Sequence, residues 1–315
     1  MLKIAVSSCL IGNRVRFDGG AKTFKFLLED LSEFVEFIPF CPENSLFGSP
    51  RESIRIVSKD GNKRAIGNKS ELDLTEKLEN ESRKVAKSFL DSGISGIIFK
   101  SKSPTCAIAS VKNYLPNGFI EGKTSGLLFD EFQKEFPLLP MEEEGRLEDV
   151  WLRENFIMQI FAFDDMLKLV ESAKKFSELV EFHTSYKFLL HAKNEVLYRE
   201  MGNIVANREK MELSQILENY SKLFFKAISQ KSSVERNINI LQHMFGFVKK
   251  SVTPEEKEEF LQNLEDYKNR LVPIIVPISF LQLFAKEYKV EYLLNQKFLS
   301  PYPKKLALRS KITER

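Results

Sequence analysis

Cysteine and histidine are both scarce in this chain. Its 315 residues include three cysteines and three histidines, and the histidines, His183, His191 and His243, all lie in the second half. A mixed cysteine and histidine metal site within the first half is therefore excluded. The odd number of cysteines, with no Cys-x-x-Cys pair, argues against a disulfide scaffold and is typical of a reducing compartment. We expect free thiols that are catalytic, metal-bound or simply buried.

Long apolar runs are absent as well. No segment approaches the roughly 18 apolar residues of a membrane span, and Met1-Leu2-Lys3 leads directly into a short strand-like segment rather than a signal peptide. Hydrophobic residues make up 43% of the chain and charged residues 29%, as in ordinary globular proteins. These features predict a cytoplasmic protein without a membrane partner. The length suits two domains of about 150 residues each.

The two halves differ in charge and in pattern. Residues 151–315 contain 26 Lys and Arg against 21 Asp and Glu, so the second half is the basic one. The first half alternates strand-like segments with helical ones at Phe24 to Phe34 and Leu72 to Leu90, the second helix following a polar stretch, Ser58 to Ser70. From Leu147 onward the pattern is helical, and Thr253-Pro254-Glu255-Glu256 predicts a helix start.

We therefore predict an α/β fold, with a Rossmann-like parallel sheet in residues 1–145 followed by an all-α domain in residues 146–315. The boundary is placed at Glu142-Glu143-Glu144-Gly145, which follows a proline-flanked segment and breaks both periodicities.

Each cysteine stands just beyond a short apolar run. Cys9 follows Ile4-Ala5-Val6, Cys41 follows the run ending at Phe40, and Cys106 lies in the loop after Ile97-Ile98-Phe99. If these runs are parallel strands, three thiols meet at one edge of the sheet. Their spacing matches no local zinc or ferredoxin motif. A shared metal site with an open coordination position and three ordinary core thiols are both compatible with the spacing alone.

The segments around these cysteines resemble the thiouracil desulfurase family. The resemblance rests on five segments that span most of residues 1–125: Ser7-Ser8-Cys9-Leu10-Ile11-Gly12, Val15-Arg16-Phe17-Asp18-Gly19-Gly20, Phe40-Cys41-Pro42-Glu43, Gly48-Ser49-Pro50-Arg51 and Lys100-Ser101-Lys102-Ser103-Pro104-Thr105-Cys106.

That resemblance implies a 4Fe-4S cluster held by Cys9, Cys41 and Cys106, with one iron open to the sulfur of the substrate. The implied reaction is the hydrolytic removal of sulfur from a thiolated uracil. Glu43, two residues after a ligand, is the best candidate for the base, and the structural alternative is a carboxylate that caps a helix or pairs with Arg51.

Residues beside the third cysteine are candidates for supporting roles. Ser101 and Ser103 are expected to orient the water or the base, and Lys100 and Lys102 to offset the charge of a thiolate-bound cluster or contact substrate. Arg16 and Asp18 are expected to position substrate. Hydrogen bonds that merely shape the loops are the competing interpretation.

The second half resembles the YbgA-type helical domain, through Leu179 to Ala192 and Tyr198-Arg199-Glu200-Met201-Gly202. In this fused arrangement the chain resembles tRNA 4-thiouridine desulfidases, which implies thiolated tRNA as partner. His183, Lys187 and His191 share one helix face, which Arg199 could join from the next helix, and such a face suits phosphate contact. Two alternatives stay open: an enzyme acting on free thiouracil, and a non-catalytic nucleic-acid-binding protein with a structural zinc.

Overall fold

The computed structural model describes residues 1–59, 61–207, 210–306 and 308–310. The chain divides into two compact units, Met1–Asp149 and Val150–Arg315. The acidic run at which we place the boundary belongs to the first unit, where its first residues form a strand.

The first unit is built of short strands and helices. Its strands are β1 (Leu2–Ser7), β2 (Val35–Phe40), β3 (Ile54–Lys59), β4 (Asn62–Gly67), β5 (Ile94–Phe99), β6 (Val111–Tyr114), β7 (Ile120–Thr124) and β8 (Met141–Glu143), and its helices are α1 (Pro42–Phe47), α2 (Thr75–Lys87) and α3 (Leu127–Glu135). The helix predicted over Phe24 to Phe34 is a short π-helical segment, Leu27–Leu31.

The main sheet is parallel, as predicted. Its strand order is β2-β1-β5-β8, and each neighbouring pair runs in parallel. Every residue of β5 is buried, which is typical of a strand covered on both faces. Phe40 at the end of β2, Phe99 at the end of β5 and Phe132 of α3 form an aromatic cluster with ring centroids 5.6–5.7 Å apart. The cluster fixes the ends of two strands against one helix.

A second sheet was not predicted. Its order is β4-β3-β6-β7, in which β3 and β6 are parallel and the other pairs antiparallel. The polar stretch Ser58 to Ser70 thus belongs mainly to the β3–β4 hairpin. Only Ile54, Ile56 and Ala65 of this hairpin join the small core of the sheet. Edge strands carry few apolar residues, so the periodic signal from this hairpin is weak.

The second unit is all-α, as predicted. Its helices are α4 (Val150–Ser172), α5 (Phe176–Lys193), α6 (Glu195–Ala206), α7 (Leu213–Ile228), α8 (Val234–Phe245), α9 (Pro254–Lys268), α10 (Ile275–Glu287) and α11 (Glu291–Leu294). The predicted helix start is confirmed, because Thr253 and Glu256 form a reciprocal capping box at the beginning of α9. Among the described residues, none of the helices combines the length and apolar character that crossing a bilayer requires.

Candidate functional site

Three adjacent parallel strands deliver the three cysteines to one edge of the main sheet. Cys9 lies in a 3₁₀ turn after β1, Cys41 stands directly before α1, and Cys106 lies in the loop after β5. All three are free thiols and line a single cavity of about 410 Å³. Cys9 and Cys106 are buried, and Cys41 is half-buried. The spacing of the cysteines left open whether they share one site. The structure places all three thiols on the wall of one cavity.

The thiols are close enough to affect each other's ionisation. Burial, followed by the nearby Cys41, raises the pKa of Cys9 to about 11. The same two causes, in the same order, raise the pKa of Cys106 well above its usual range. A bound cation would have to displace these protons, since only thiolates ligate metals.

Positive side chains dominate the wall of this cavity. Glu43 is the one carboxylate among the described residues of the wall, whereas five cationic side chains line it: Arg16, Lys22, Arg51, Lys100 and Lys102. Three of these cations are paired with carboxylates: Arg16 with Asp18, Arg51 with Glu43 and Lys100 with Glu144. The excess positive charge that favours a negatively charged occupant therefore comes mainly from Lys22 and Lys102.

Glu43 is held rigidly in the first turn of α1. Its Oε2 accepts a 2.7 Å bond from Nη2 of Arg51, and its Oε1 accepts a 2.6 Å bond from the Thr105 hydroxyl. The Ser103 hydroxyl lies 3.4 Å from the same Oε1. The pairing with Arg51 that the sequence offers as a structural alternative is thus present. It coexists with a position on the cavity wall, so the contact alone does not assign a role.

Arg51 ties three loops together. Its Nη1 donates to the carbonyls of Val15 and Gly48, each at 2.9 Å, while Nη2 bonds Glu43. The side chain is only 7% exposed. Its Nε is buried and has no hydrogen-bond partner among the described residues. Buried donors are seldom left unsatisfied, so this nitrogen is an exception among the buried polar atoms of the unit.

Lys100 and Ser101 share a buried carboxylate that the sequence analysis missed. Glu144 forms an ion pair with Nζ of Lys100 and accepts a 2.8 Å bond from the Ser101 hydroxyl. The amide of Lys100 donates to the Ser7 hydroxyl at 2.9 Å. Lys100 and Ser101 both line the cavity, but their polar ends are engaged with Glu144.

The remaining predicted residues divide between the cavity and its rim. The Ser103 hydroxyl accepts bonds from the amides of Thr105 and Cys106, so it shapes the turn that carries the third thiol.

Lys102 is exposed on the wall with a φ of 59°. Arg16 also lines the wall, whereas Asp18 is not part of it and lies 3.4 Å from Nε of Arg16. A bond from the Gly20 amide, together with Arg16, holds the pKa of Asp18 below its usual range.

The loop around Cys106 is anchored at its far end by Glu143. This side chain is 3% exposed, and its Oε1 accepts bonds from the amides of Ile108 and Ala109 and from the Ser110 hydroxyl, at 2.6, 3.2 and 2.8 Å. Glu143 and Glu144 therefore hold the two ends of the loop. The sequence contained a signal for these two residues. They follow Leu138-Leu139-Pro140-Met141, and polar residues directly after a short apolar run are typical of a strand end.

The predicted helical face assembles as a stack of rings. Tyr198 of α6 lies 5.6 Å from the His183 ring and 5.3 Å from the His191 ring, both of α5, with interplanar angles of 3° and 20°. Nδ1 of His183 is 3.0 Å from the Tyr220 hydroxyl. Burial lowers the pKa of His183 to about 4, and burial also lowers the pKa of His191. Charge on His183 therefore contributes little to this face near neutral pH, and phosphate contact by His183, Lys187 and His191 stays a prediction.

Two cations flank this stack. Nζ of Lys187 lies 5.6 Å from the Phe188 ring centroid. Arg199 is largely exposed and pairs with Glu195 at 2.5 Å, and Glu195 also lies 3.7 Å from the His191 ring. Positive charge on this face therefore comes from Lys187 and, partly compensated, from Arg199.

Comparison with known proteins accounts for both units. Residues 4–144 match a family model described as 2-thiouracil desulfurase, and residues 187–303 match one described as a protein of unknown function, DUF1722. The chain joins a domain of the thiouracil desulfurase family to a YbgA-type domain. This supports an enzyme that cleaves a carbon–sulfur bond of a thiouracil.

Two individual proteins are similar to parts of the chain. The uncharacterized protein YbgA of Escherichia coli strain K12 is 20% identical over 157 residues, which cover 50% of this chain and 93% of YbgA. A solved structure named as the [4Fe-4S]-dependent thiouracil desulfidase TudS is 26% identical and covers 50% of this chain and 100% of that one, with a TM-score of 0.39.

Gly126 allows the close approach that positions Cys106, which leads to a testable prediction. A Cβ at this glycine would lie 2.4 Å from the backbone of Thr105 and 2.9 Å from the Cys106 amide. Gly126→Ala should therefore displace this segment at a cost of about 1–3 kcal/mol, and alkylation of Cys106 in the metal-free protein should become about tenfold faster. Peptide mass spectrometry after a pulse of iodoacetamide measures the rate.

Gly122 provides the matched control, because a Cβ there meets no atom within 4 Å. Gly122→Ala should alkylate at the rate of the unmodified protein. Equal rates in the two variants would mean that Gly126 does not set the position of the loop.

Proposed function

We propose that the chain is a hydrolytic desulfidase that removes sulfur from a thiolated uracil, most favourably 4-thiouridine in tRNA, in the cytoplasm. The observation that carries the proposal is the cavity in which three free thiols from three adjacent parallel strands meet a wall of five cations. Membership of the first unit in the thiouracil desulfurase family supports the substrate class.

The donor set fits a 4Fe-4S cluster bound by Cys9, Cys41 and Cys106. Thiolates are the usual ligands of such clusters, and the cationic wall would balance the negative charge that three thiolates add. The three thiols also belong to one cavity, so no distant ligand is required.

A single zinc ion fits the same residues less well. Within the described ranges, no three Cys, His, Asp or Glu side chains lie close enough together to bind one metal ion. Tetrahedral zinc, with Zn–S bonds of about 2.3 Å, would hold its sulfurs about 3.8 Å apart. A cluster binds each thiolate through a different iron, so its ligands need not lie at this short separation.

When bound, the cluster would supply an iron with an open coordination position, a Lewis acid for the soft sulfur of the substrate. The overall reaction exchanges the thiocarbonyl for a carbonyl: the carbon–sulfur bond breaks, a carbon–oxygen bond forms from water, and hydrogen sulfide leaves. The protein must therefore bind the ring, position one water molecule and accept a proton from it.

Glu43 is our candidate for the proton acceptor. Arg51 and Thr105 each occupy one lone pair of its two carboxylate oxygens, which leaves acceptor capacity for a water molecule. The same two bonds fix the carboxylate, so that a bound water would meet the ring from one direction. Ser103, 3.4 Å from Glu43, is proposed to complete this orientation.

Lys100, Ser101, Lys102 and Arg16 are proposed to bind the substrate or its phosphates at the cavity wall. The bonds of Lys100 and Ser101 to Glu144 would hold these two side chains in a fixed orientation toward the substrate. Asp18 is proposed to act through Arg16, which it contacts at the rim. The exposed Lys102 has the freest access to a large substrate.

The helical unit supports the choice of RNA over a free base. Lys187 and Arg199 flank a half-buried ring stack of His183, His191 and Tyr198. Cations beside aromatic rings suit backbone contacts and base stacking. The free base thiouracil is the second candidate substrate, favoured by the description of the matched family.

The ligand set predicts the iron content. Protein reconstituted anaerobically should be brown, with about four irons per chain, and Cys9→Ala, Cys41→Ala and Cys106→Ala should each lose the colour and most of the iron. Ser45→Ala, near Cys41 but outside the cavity wall, is the control and should keep both. Full iron occupancy in any of the cysteine variants would remove that residue from the ligand set, and a colourless protein with one zinc would refute the cluster.

The role of Glu43 can be separated from a structural one. Glu43→Gln keeps an acceptor for Thr105 and should retain the cluster, but as the loss of a general base it should slow desulfuration by about 10²–10⁴-fold. Single-turnover sulfide release and iron analysis on the same preparation make the measurement. Glu81→Gln, at an acidic residue that bonds Ser45, should react normally. A Glu43→Gln protein with normal turnover, or one that loses its iron, would return Glu43 to a structural role.

The substrate is identified by comparing the rates of desulfuration of the candidates. The reconstituted full chain is incubated anaerobically with bulk thiolated tRNA, with free 4-thiouracil and with free 2-thiouracil, and the loss of near-ultraviolet absorbance is followed. We expect the tRNA to lose its thiocarbonyl absorbance fastest, because the basic unit adds phosphate contacts. Activity confined to the free bases would overturn the RNA proposal while leaving the desulfidase proposal intact.

A further inference from the structure

The helical unit contains a polar cavity that the proposed function does not use. It has a volume of about 100 Å³ and lies among α4, α5, α8 and the connection from α9 to α10. Its polar and aromatic wall includes Trp151, Asn155, Lys193, Asn237, Tyr267 and Arg309. Sites for drug-sized ligands measure about 300–1,000 Å³, so this cavity suits a small chemical group.

Lys193, the last residue of α5, is a buried cation without a carboxylate partner. The residue is 5% exposed, and its Nζ donates a 2.6 Å bond to Oδ1 of Asn155. Among the described residues, no carboxylate lies within ion-pair distance of this nitrogen. Burial lowers the pKa of Lys193 to about 8, so the group is mostly charged at neutral pH. A buried ammonium with a single neutral acceptor is costly unless an anion joins it.

Glu154, the carboxylate that favours the charged form of Lys193 electrostatically, is itself engaged by other donors. Glu154 accepts a 3.0 Å bond from Nε of Arg309 and a 3.2 Å bond from the Tyr302 hydroxyl. Among the described wall residues, the cations are Lys193, Arg270 and Arg309, and the one carboxylate is Glu154. The wall therefore has an excess of positive charge.

The beginning of α8 adds donors to the same wall. Ser232, Ser233 and Val234 line the cavity, and Ser233 is the N-cap of this twelve-residue helix. Backbone amides in the first turn of a helix favour negative charge. The helix end and the unpaired Lys193 are independent features that point to the same kind of ligand.

We propose that this cavity binds a phosphate group, with Lys193 as its charged donor. A phosphate on RNA and free inorganic phosphate have the same chemistry, and the experiment below separates them. The proposal concerns a site in the helical unit and does not depend on desulfidase activity.

Trp151 makes the test direct, because it lines the cavity and is the only tryptophan of the chain. The full chain is titrated with inorganic phosphate, and separately with one short RNA prepared with and without a 5′-phosphate, while tryptophan fluorescence is recorded. We expect a saturable change. Saturation by inorganic phosphate identifies a free-phosphate site, and saturation by the phosphorylated RNA alone identifies a nucleic-acid phosphate site.

Lys193→Met, close to the lysine in size, should weaken binding by about tenfold or more, because hydrogen bonds to charged groups contribute about 1.5–3 kcal/mol. Lys250→Met removes an exposed lysine outside the wall and should bind normally. Arg270→Gln, at an exposed residue of the wall, should weaken binding by about threefold. If Lys193→Met does not fold, the affinity of Arg270→Gln for phosphate tests the proposal instead.

Two results would overturn the proposal. One is the absence of a saturable response to any of these three ligands. The other is unchanged affinity in the folded Lys193→Met protein or, if that protein does not fold, in Arg270→Gln.

Discussion

The candidate site depends on one constraint, the common direction of three neighbouring strands. Because β1 lies between β2 and β5 and all three are parallel, their carboxyl ends meet at one edge of the sheet. β1 and β5 are almost fully buried, and the three cysteines lie just beyond the ends of the strands. Three thiols from distant parts of the sequence thus share a cavity without any local motif.

A second layer of interactions converts this common edge into a fixed geometry. Glu143 and Glu144 use buried carboxylates to hold the loop of the third thiol, and Arg51 connects the carbonyls of two loops to Glu43. At Gly126 the chain approaches that loop so closely that a side chain is excluded. Glu143 and Glu144 therefore act mainly as acceptors for loop donors, and within the described part of the chain Glu43 is the one carboxylate on the cavity wall.

The sequence was sufficient for the parallel sheet and the helical second unit, whereas the grouping of the cysteines followed from the family resemblance and was left open by their spacing. Buried strands and amphipathic helices have strong periodic signals, and the thiols follow directly from the strand ends. The β3–β4 hairpin was missed because its edge strand contributes little apolar surface. Glu143 was assigned to a boundary because the acidic run breaks both periodicities, whereas here two backbone amides donate to its carboxylate. Helical spacing placed His183 on a face with Lys187, but spacing does not report burial, which keeps that ring neutral.

The chain separation of the three thiols has a consequence for folding. Cys9 and Cys41 are 32 residues apart, and Cys41 and Cys106 are 65 residues apart. An occupant bound by all three would cross-link most of the first unit into two closed loops, and closing loops of this length restricts the unfolded chain far more than the folded one. Loading of the cavity and the conformational stability of the α/β unit would then be thermodynamically linked, as in other domains whose metal binding is coupled to folding.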